Sequence, residues 1–154
     1  MYKHIVVGTD FSDTATKAVD AAAALAKTFG ATLHIVTAFK PALTGNIAAT
    51  SLEAMAYGGA DILSEAESRL GDEVEATLGR ISKQLADDGV TVKTHGIAGD
   101  PADSLIDCAE RCKADLIVVG NRGMSGVKRF VLGSVANKIT HHAPCSVLVQ
   151  HTVD

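Results

Sequence analysis

The chain is 154 residues long, 47% hydrophobic and 21% charged, with a net charge of −4, no Trp and 4% aromatic residues. These figures exclude a disordered chain and argue against a dedicated binder of nucleic acid or acidic membranes. They point to a single domain over residues 1–154 with an aliphatic core, as in a buried parallel sheet clad in helices.

No apolar run approaches the roughly 20 residues of a membrane helix. The N-terminus enters a strand directly, without a signal-peptide layout. An odd count of three Cys offers no disulfide framework, so a cytoplasmic protein with reduced thiols is expected.

Strand and helix patterns alternate along the chain. His4 to Gly8 is an apolar strand, and Thr9-Asp10-Phe11-Ser12-Asp13 is a turn with helix-cap chemistry. Thr14 to Phe29 is an Ala-rich helix that Gly30 closes in the left-handed position. Thr32 to Phe39 is the second strand. Pro41 to about Ala60 is a Gly-containing loop with room for a short helical piece. Asp61 to Asp88 reads as a long helix ended by Gly89, with Asp72, Glu73 and Glu75 on a solvated face.

Val90 to Ile97 alternates and is expected near a sheet edge. Asp100-Pro101 opens a helix to about Lys113, with Pro in its first turn. Asp115 to Val119 is the fourth strand. Gly133-Ser134 opens the last helix, to about His142, Pro144 breaks it, and Cys145 to Gln150 is the fifth strand. Right-handed crossovers favour a doubly wound α/β fold: a five-stranded parallel sheet in the order 3-2-1-4-5, with helices on both faces. Strands one and four then meet at the switch point, where such sheets bind ligands beyond the C-terminal strand ends.

The turns that meet there are Thr9-Asp10 and the stretch from Gly120 to Ser134. The second has the spacing Gly-x2-Gly-x9-Gly-Ser and carries Arg122, Lys128 and Arg129. Glycine lets backbone N–H groups approach an anion, and a helix N-terminus faces it, which makes a phosphate cradle. The spacing is neither a Walker A loop, since no Lys follows the last Gly, nor the dinucleotide G-x-G-x-x-G.

It resembles the nucleotide-binding signature of the universal stress protein family, in its ATP-binding branch. The resemblance covers the whole chain and includes Gly8-Thr9-Asp10-Phe11-Ser12-Asp13, Gly99-Asp100-Pro101, Ala114 to Gly120 and Leu132-Gly133-Ser134-Val135-Ala136. It implies a fold like that of the adenine nucleotide α-hydrolases. It also implies a nucleotide site. Gly120 and Gly123 would lie beside ribose and phosphates, while Gly133 and Ser134 would hold phosphate oxygens at a helix whose first turn includes Val135. Thr9 and Asp10 would lie near ribose or a bound metal, and the backbone of Ala38 would recognise adenine.

Aliphatic walls with backbone donors and acceptors suit a planar base; Val119 belongs to such a wall, and Arg122 is placed to neutralise phosphate. Asp10 is a candidate catalytic base, Mg²⁺ ligand or ribose acceptor; a place beside the phosphates would require a cation between them, for which Mg²⁺ is the candidate. The remaining role open to Asp10 is the helix N-cap, for which Ser12 or Asp13 is an equal candidate.

Two further groups invite a metal reading. His141 and His142 are adjacent at a helix end and point in different directions, and cations there also suit the helix dipole. Cys108 and Cys112 share a helix face, but nothing else in the sequence gathers ligands around them, so small buried hydrophobes are the better reading. The last strand, 146–150, lacks Pro, Lys and Glu to protect an edge. Pairing across a two-fold axis would make a homodimer, and the family resemblance implies the same.

The expected function is an ATP-binding regulator or sensor of the stress response, with no nucleic-acid or membrane partner. Alternatives are an AMP- or cyclic-AMP-binding member, a slow ATPase, and a protein whose dimer surface is its function.

Overall fold

The computed structural model describes residues 1–40, 59–121 and 132–152. Strands β1 (His4–Gly8), β2 (Thr32–Phe39), β3 (Thr91–Ala98), β4 (Leu116–Gly120) and β5 (Ser146–Gln150) form one sheet in the order β3-β2-β1-β4-β5. Every pairing is parallel, with Ile5 opposite Leu33 on one side and Leu116 on the other. The expected fold and strand order are therefore observed, with β3 and β5 at the edges.

Among the described residues four helices clad the sheet: α1 (Asp13–Phe29), α2 (Gly59–Asp87), α3 (Pro101–Cys112) and α4 (Ser134–His142). Strand alternation divides the core between the two faces. Ile5, Val7, Leu33 and Ile35 pack against α1 and α2, through Ala22, Val74 and Leu78 among others. Val6, Val36, Ile117 and Val119 pack against α3 and α4, through Leu105, Cys108 and Ile139. Asp72, Glu73 and Glu75 are exposed on α2, as a solvated face requires.

The helix ends follow local chemistry. Ser12 is the N-cap of α1, its Oγ accepting from the Ala15 N–H at 3.1 Å. Gly30 closes the helix at φ 63°. Asp100 caps α3 by accepting from the N–H groups of Ala102 and Asp103, each at 3.1 Å. The Asp103 N–H foremost, then the Lys138 ammonium and the Ala102 N–H, hold its carboxyl below the usual range.

Lys113, rather than a glycine, takes the left-handed position after α3 at φ 52°. That residue type conceals the helix end from a reading based on glycine. Helix α2 begins at Gly59, earlier than the expected Asp61. The loop expected from Pro41, with its short helical piece, lies outside the described residues as far as residue 58.

Candidate functional site

Beyond the C-terminal ends of β1 and β4 lies a cleft of about 260 Å³, near the lower end of small-molecule pockets at roughly 300 Å³. The cleft brings together Thr9 and Asp10 after β1, Ala38 on β2, and Val119 and Gly120 at the end of β4. Gly133, Ser134 and Val135 at the start of α4 complete that group. Arg122 and Gly123 lie outside the described residues, as do Lys128 and Arg129.

The turn after β1 is held from within. The Thr9 N–H donates to the Val36 carbonyl at 2.9 Å, and the Thr37 hydroxyl donates to the Thr9 carbonyl at 2.7 Å. Phe11 follows with a positive φ of 63°, and its N–H donates to Thr9 Oγ1 at 3.0 Å. The Asp10 carboxylate accepts from the backbone N–H and the hydroxyl of Ser12. Ser12 therefore takes the N-cap role, and exposed Asp10 orients it from the mouth of the cleft.

On the opposite wall the chain closes on itself. The Asn121 N–H donates to the Gln150 carbonyl at 2.8 Å, and the Gly133 N–H donates to the Asn121 carbonyl at 2.9 Å. The Asn121 side chain accepts from both the N–H and the hydroxyl of Thr152, at 2.9 and 2.8 Å. Thr152 is 1% exposed. Asn121 thus pins both ends of the stretch 121–133 and the C-terminal tail to one point.

Gly133 then caps α4 with no side-chain hydrogen bond, so the first-turn N–H groups open toward the cleft with the positive end of the helix dipole. Lys138 ties α4 to the start of α3, 2.7 Å from Asp103 and 3.3 Å from Asp100.

The remaining wall was not singled out in the sequence. Gly8, Ala15, Val36, Pro101, Leu105 and Ala136 supply it. Gly8 leaves room for Leu105 there: a Cβ on it would stand 2.8 Å from Leu105 Cδ1, so that side chain would have to shift. The Val36 carbonyl points toward β1 and the Phe39 carbonyl toward β3. By strand alternation the N–H and C=O of Ala38 point toward the β1 side, where β1 has already ended. A planar polar edge could therefore meet main-chain groups there. No signal of residue type marks these positions; only the geometry of strand ends does.

The other candidates fall elsewhere. His141 and His142 lie exposed in the last turn of α4, with ring centroids 6.4 Å apart. Cys108 is buried in the core and Cys112 packs against it, as expected of small hydrophobes, and His34 of β2 stands against both. Ligand atoms of the three residues all lie within 4.8 Å of one another. The sequence concealed this because His34 is distant in the chain and reads there as one strand residue.

The sequence model described as the Universal stress protein family matches residues 1–151. Universal stress protein MJ0531 of Methanocaldococcus jannaschii is 34% identical over 149 residues, spanning 97% of this chain and 82% of the relative. The structure of universal stress protein UspA from Lactobacillus plantarum is 25% identical with a TM-score of 0.75, covering 96% of this chain and 97% of that one. A crystal structure of a universal stress protein in complex with cAMP is 30% identical with a TM-score of 0.68, covering 99% of this chain and 98% of that one.

Proposed function

This chain belongs to the universal stress protein family, and from that premise we propose that it is an ATP-binding member acting as a nucleotide-dependent regulator or sensor. The observation that carries the proposal is the start of α4, capped only by Gly133, opening on a cleft whose other walls are aliphatic. Phosphate oxygens accept from the N–H groups of Ser134 and Val135 and from the Ser134 hydroxyl, on the positive end of the helix. Adenine lies against Val119 and Leu105 and pairs with the main chain of Ala38. Thr9 and Asp10 border the ribose.

Arg122, Gly120 and Gly123 belong to the same phosphate-side loop in this reading. A Mg²⁺ ion suits the space between Asp10 and the phosphates, because an uncompensated carboxylate would repel them. The Asp10 carboxylate is already engaged by Ser12, which favours holding a nucleotide over rapid proton transfer to it.

Mass spectrometry of the nucleotide that co-purifies with the protein tests the reading. An adenine nucleotide is expected. Affinity measured by calorimetry should fall about 10–100-fold in Gly133→Leu, whose side chain would enter the cleft lining and hold the phosphate off one first-turn N–H, a charge-assisted hydrogen bond of about 1.5–3 kcal/mol. A folded Gly133→Leu protein with undiminished affinity would overturn it. The cAMP-bound relative supports a second reading, in which cyclic AMP is the ligand; competition between ATP and cyclic AMP at matched concentration separates the two.

The same reading includes a homodimer through β5. Among the described residues β5 pairs only with β4, and Thr152 turns inward to Asn121 instead of covering the outer edge. Leu148 on this strand is 36% exposed. Sedimentation equilibrium is expected to give twice the monomer mass; a monomer at high concentration would exclude this interface. Among the described residues no helix is long and apolar enough to cross a membrane.

A further inference from the structure

We propose that His34, Cys108 and Cys112 form a binding site for one Zn²⁺ ion, between the sheet and α3 and separate from the nucleotide cleft.

The site is assembled from two elements. Cys108 and Cys112 stand one turn apart on the same face of α3. His34 projects from β2 on the sheet face that this helix covers, the face of Val36. The three ligand atoms lie within 4.8 Å of one another. Ligands on tetrahedral zinc, at about 2.0–2.1 Å for nitrogen and 2.3 Å for sulfur, are separated by about 3.3–3.8 Å. Small rotations about side-chain bonds close that difference, with no movement of strand or helix.

The surroundings suit a metal. His34 is 3% exposed and Cys108 2% exposed, while half-buried Cys112 leaves an entry path. Two thiolates and a neutral imidazole around Zn²⁺ make a site of zero net charge, which a protein interior accepts. On binding, each thiol loses its proton to solvent, so two protons leave for each ion taken up. His34 is already neutral: burial, with His95 and His4 beside it, lowers its pKa from 6.5 to about 4. Burial holds the Cys108 thiol protonated without metal, with its pKa pushed up to about 11.

A row of histidines orients the central ligand. His4 Nδ1 is 3.3 Å from His34 Nε2, and His34 Nδ1 is 3.1 Å from His95 Nε2. The His34 and His95 rings are nearly parallel, at 14°. When one His34 nitrogen turns to the metal, the other keeps a neighbouring ring as its hydrogen-bond partner. Such an outer contact fixes the tautomer and aim of a metal-bound histidine. Three protein ligands leave a fourth position for water, as in zinc sites with an open coordination place. Aliphatic side chains would pack this layer without burying ring nitrogens, so close packing alone does not account for three histidines and two thiols in one place.

Cobalt is the probe for the test. Co²⁺ is titrated into the reduced, metal-free full-length protein, and absorbance is followed in the near ultraviolet and the visible. The expected result is a thiolate-to-cobalt charge-transfer band with tetrahedral d–d bands, saturating at one ion per chain and abolished by Zn²⁺. Cys112→Ser, conservative and only half-buried, should remove most of the charge-transfer band while circular dichroism stays native. His34→Gln should weaken binding by at least about 10–100-fold, since even outer-contact changes have that effect. Changing His141 and His142 together to Gln should leave the spectrum unaltered. The proposal is overturned if no charge-transfer band appears, if the band survives Cys112→Ser at full intensity, or if it depends on His141 and His142. Nucleotide is absent from every arm, so the result is independent of the cleft.

Discussion

The cleft beyond the C-terminal strand ends and the His34 cluster lie on the same face of the same sheet and share helix α3, yet they are built in opposite ways. On that helix Pro101 and Leu105 line the cleft, and Cys108 and Cys112 continue the same stripe into the cluster. On β2 the alternating residues Ala38, Val36 and His34 run from one region to the other, and on β1 Gly8, Val6 and His4 do so. At the C-terminal strand ends the side chains shrink, so that backbone N–H groups and a helix dipole face the opening. That arrangement suits an anion and a flat base. At the N-terminal ends the side chains carry lone pairs into a buried layer, which suits a soft cation. One layer of a parallel sheet thus offers two chemistries, because its two ends differ in what the backbone leaves exposed.

Leu105 sits between the two regions, so its truncation tests whether they are independent. Leu105→Ala is expected to cost about 2–5 kcal/mol in urea unfolding, because the side chain is 3% exposed and fills space against Gly8. If the regions are independent, cobalt binding should change far less than nucleotide binding, since Leu105 lines only the cleft.

Acid separates them next. The pKa of His34 is lowered by burial to about 4 from 6.5. In the metal-free protein its contribution to stability is full above pH 6.5. The contribution is lost progressively as pH falls from 6.5 to about 4, because the unfolded chain takes up a proton that the folded ring refuses. The loss amounts to about 3 kcal/mol at most, and His95, lowered mainly by burial as well, acts in the same direction. The pH dependence of unfolding over this window should flatten in His34→Gln.

Asn121→Ala should act on the cleft alone. It leaves two donors of buried Thr152 without their acceptor, at a cost of about 1–3 kcal/mol, and frees the base of the stretch 121–133. Hydrogen exchange of the Gly133 and Thr152 amides reports the change; an unaltered exchange rate would count against the pinning role of Asn121. Ser12→Ala is the mildest, about 1 kcal/mol by thermal unfolding for a lost N-cap, and it removes the hydroxyl donor to the Asp10 carboxylate while the backbone N–H donor of residue 12 stays.

Local chemistry made most of the fold legible. Continuous apolar runs marked the strands, Ser12, Asp100 and Gly30 marked helix ends, and alternation with right-handed crossovers set the strand order. The switch point followed from that order, and with it the pairing of Thr9-Asp10 with Gly120 and Gly133. These features depend on neighbours in sequence or on topology, so a linear reading reaches them.

Other features depend on packing between residues distant in the chain, and only the tertiary structure decided them. Ser12, rather than Asp10, became the cap because Asp10 folds back onto it. Asn121 became the junction of two strand ends and the tail. Leu105 became a wall because Gly8 has no side chain. The grouping of His34 with Cys108 and Cys112 is the fullest case. Each residue alone reads as ordinary packing. Only laying α3 across β2 brings the imidazole and both thiols into one place.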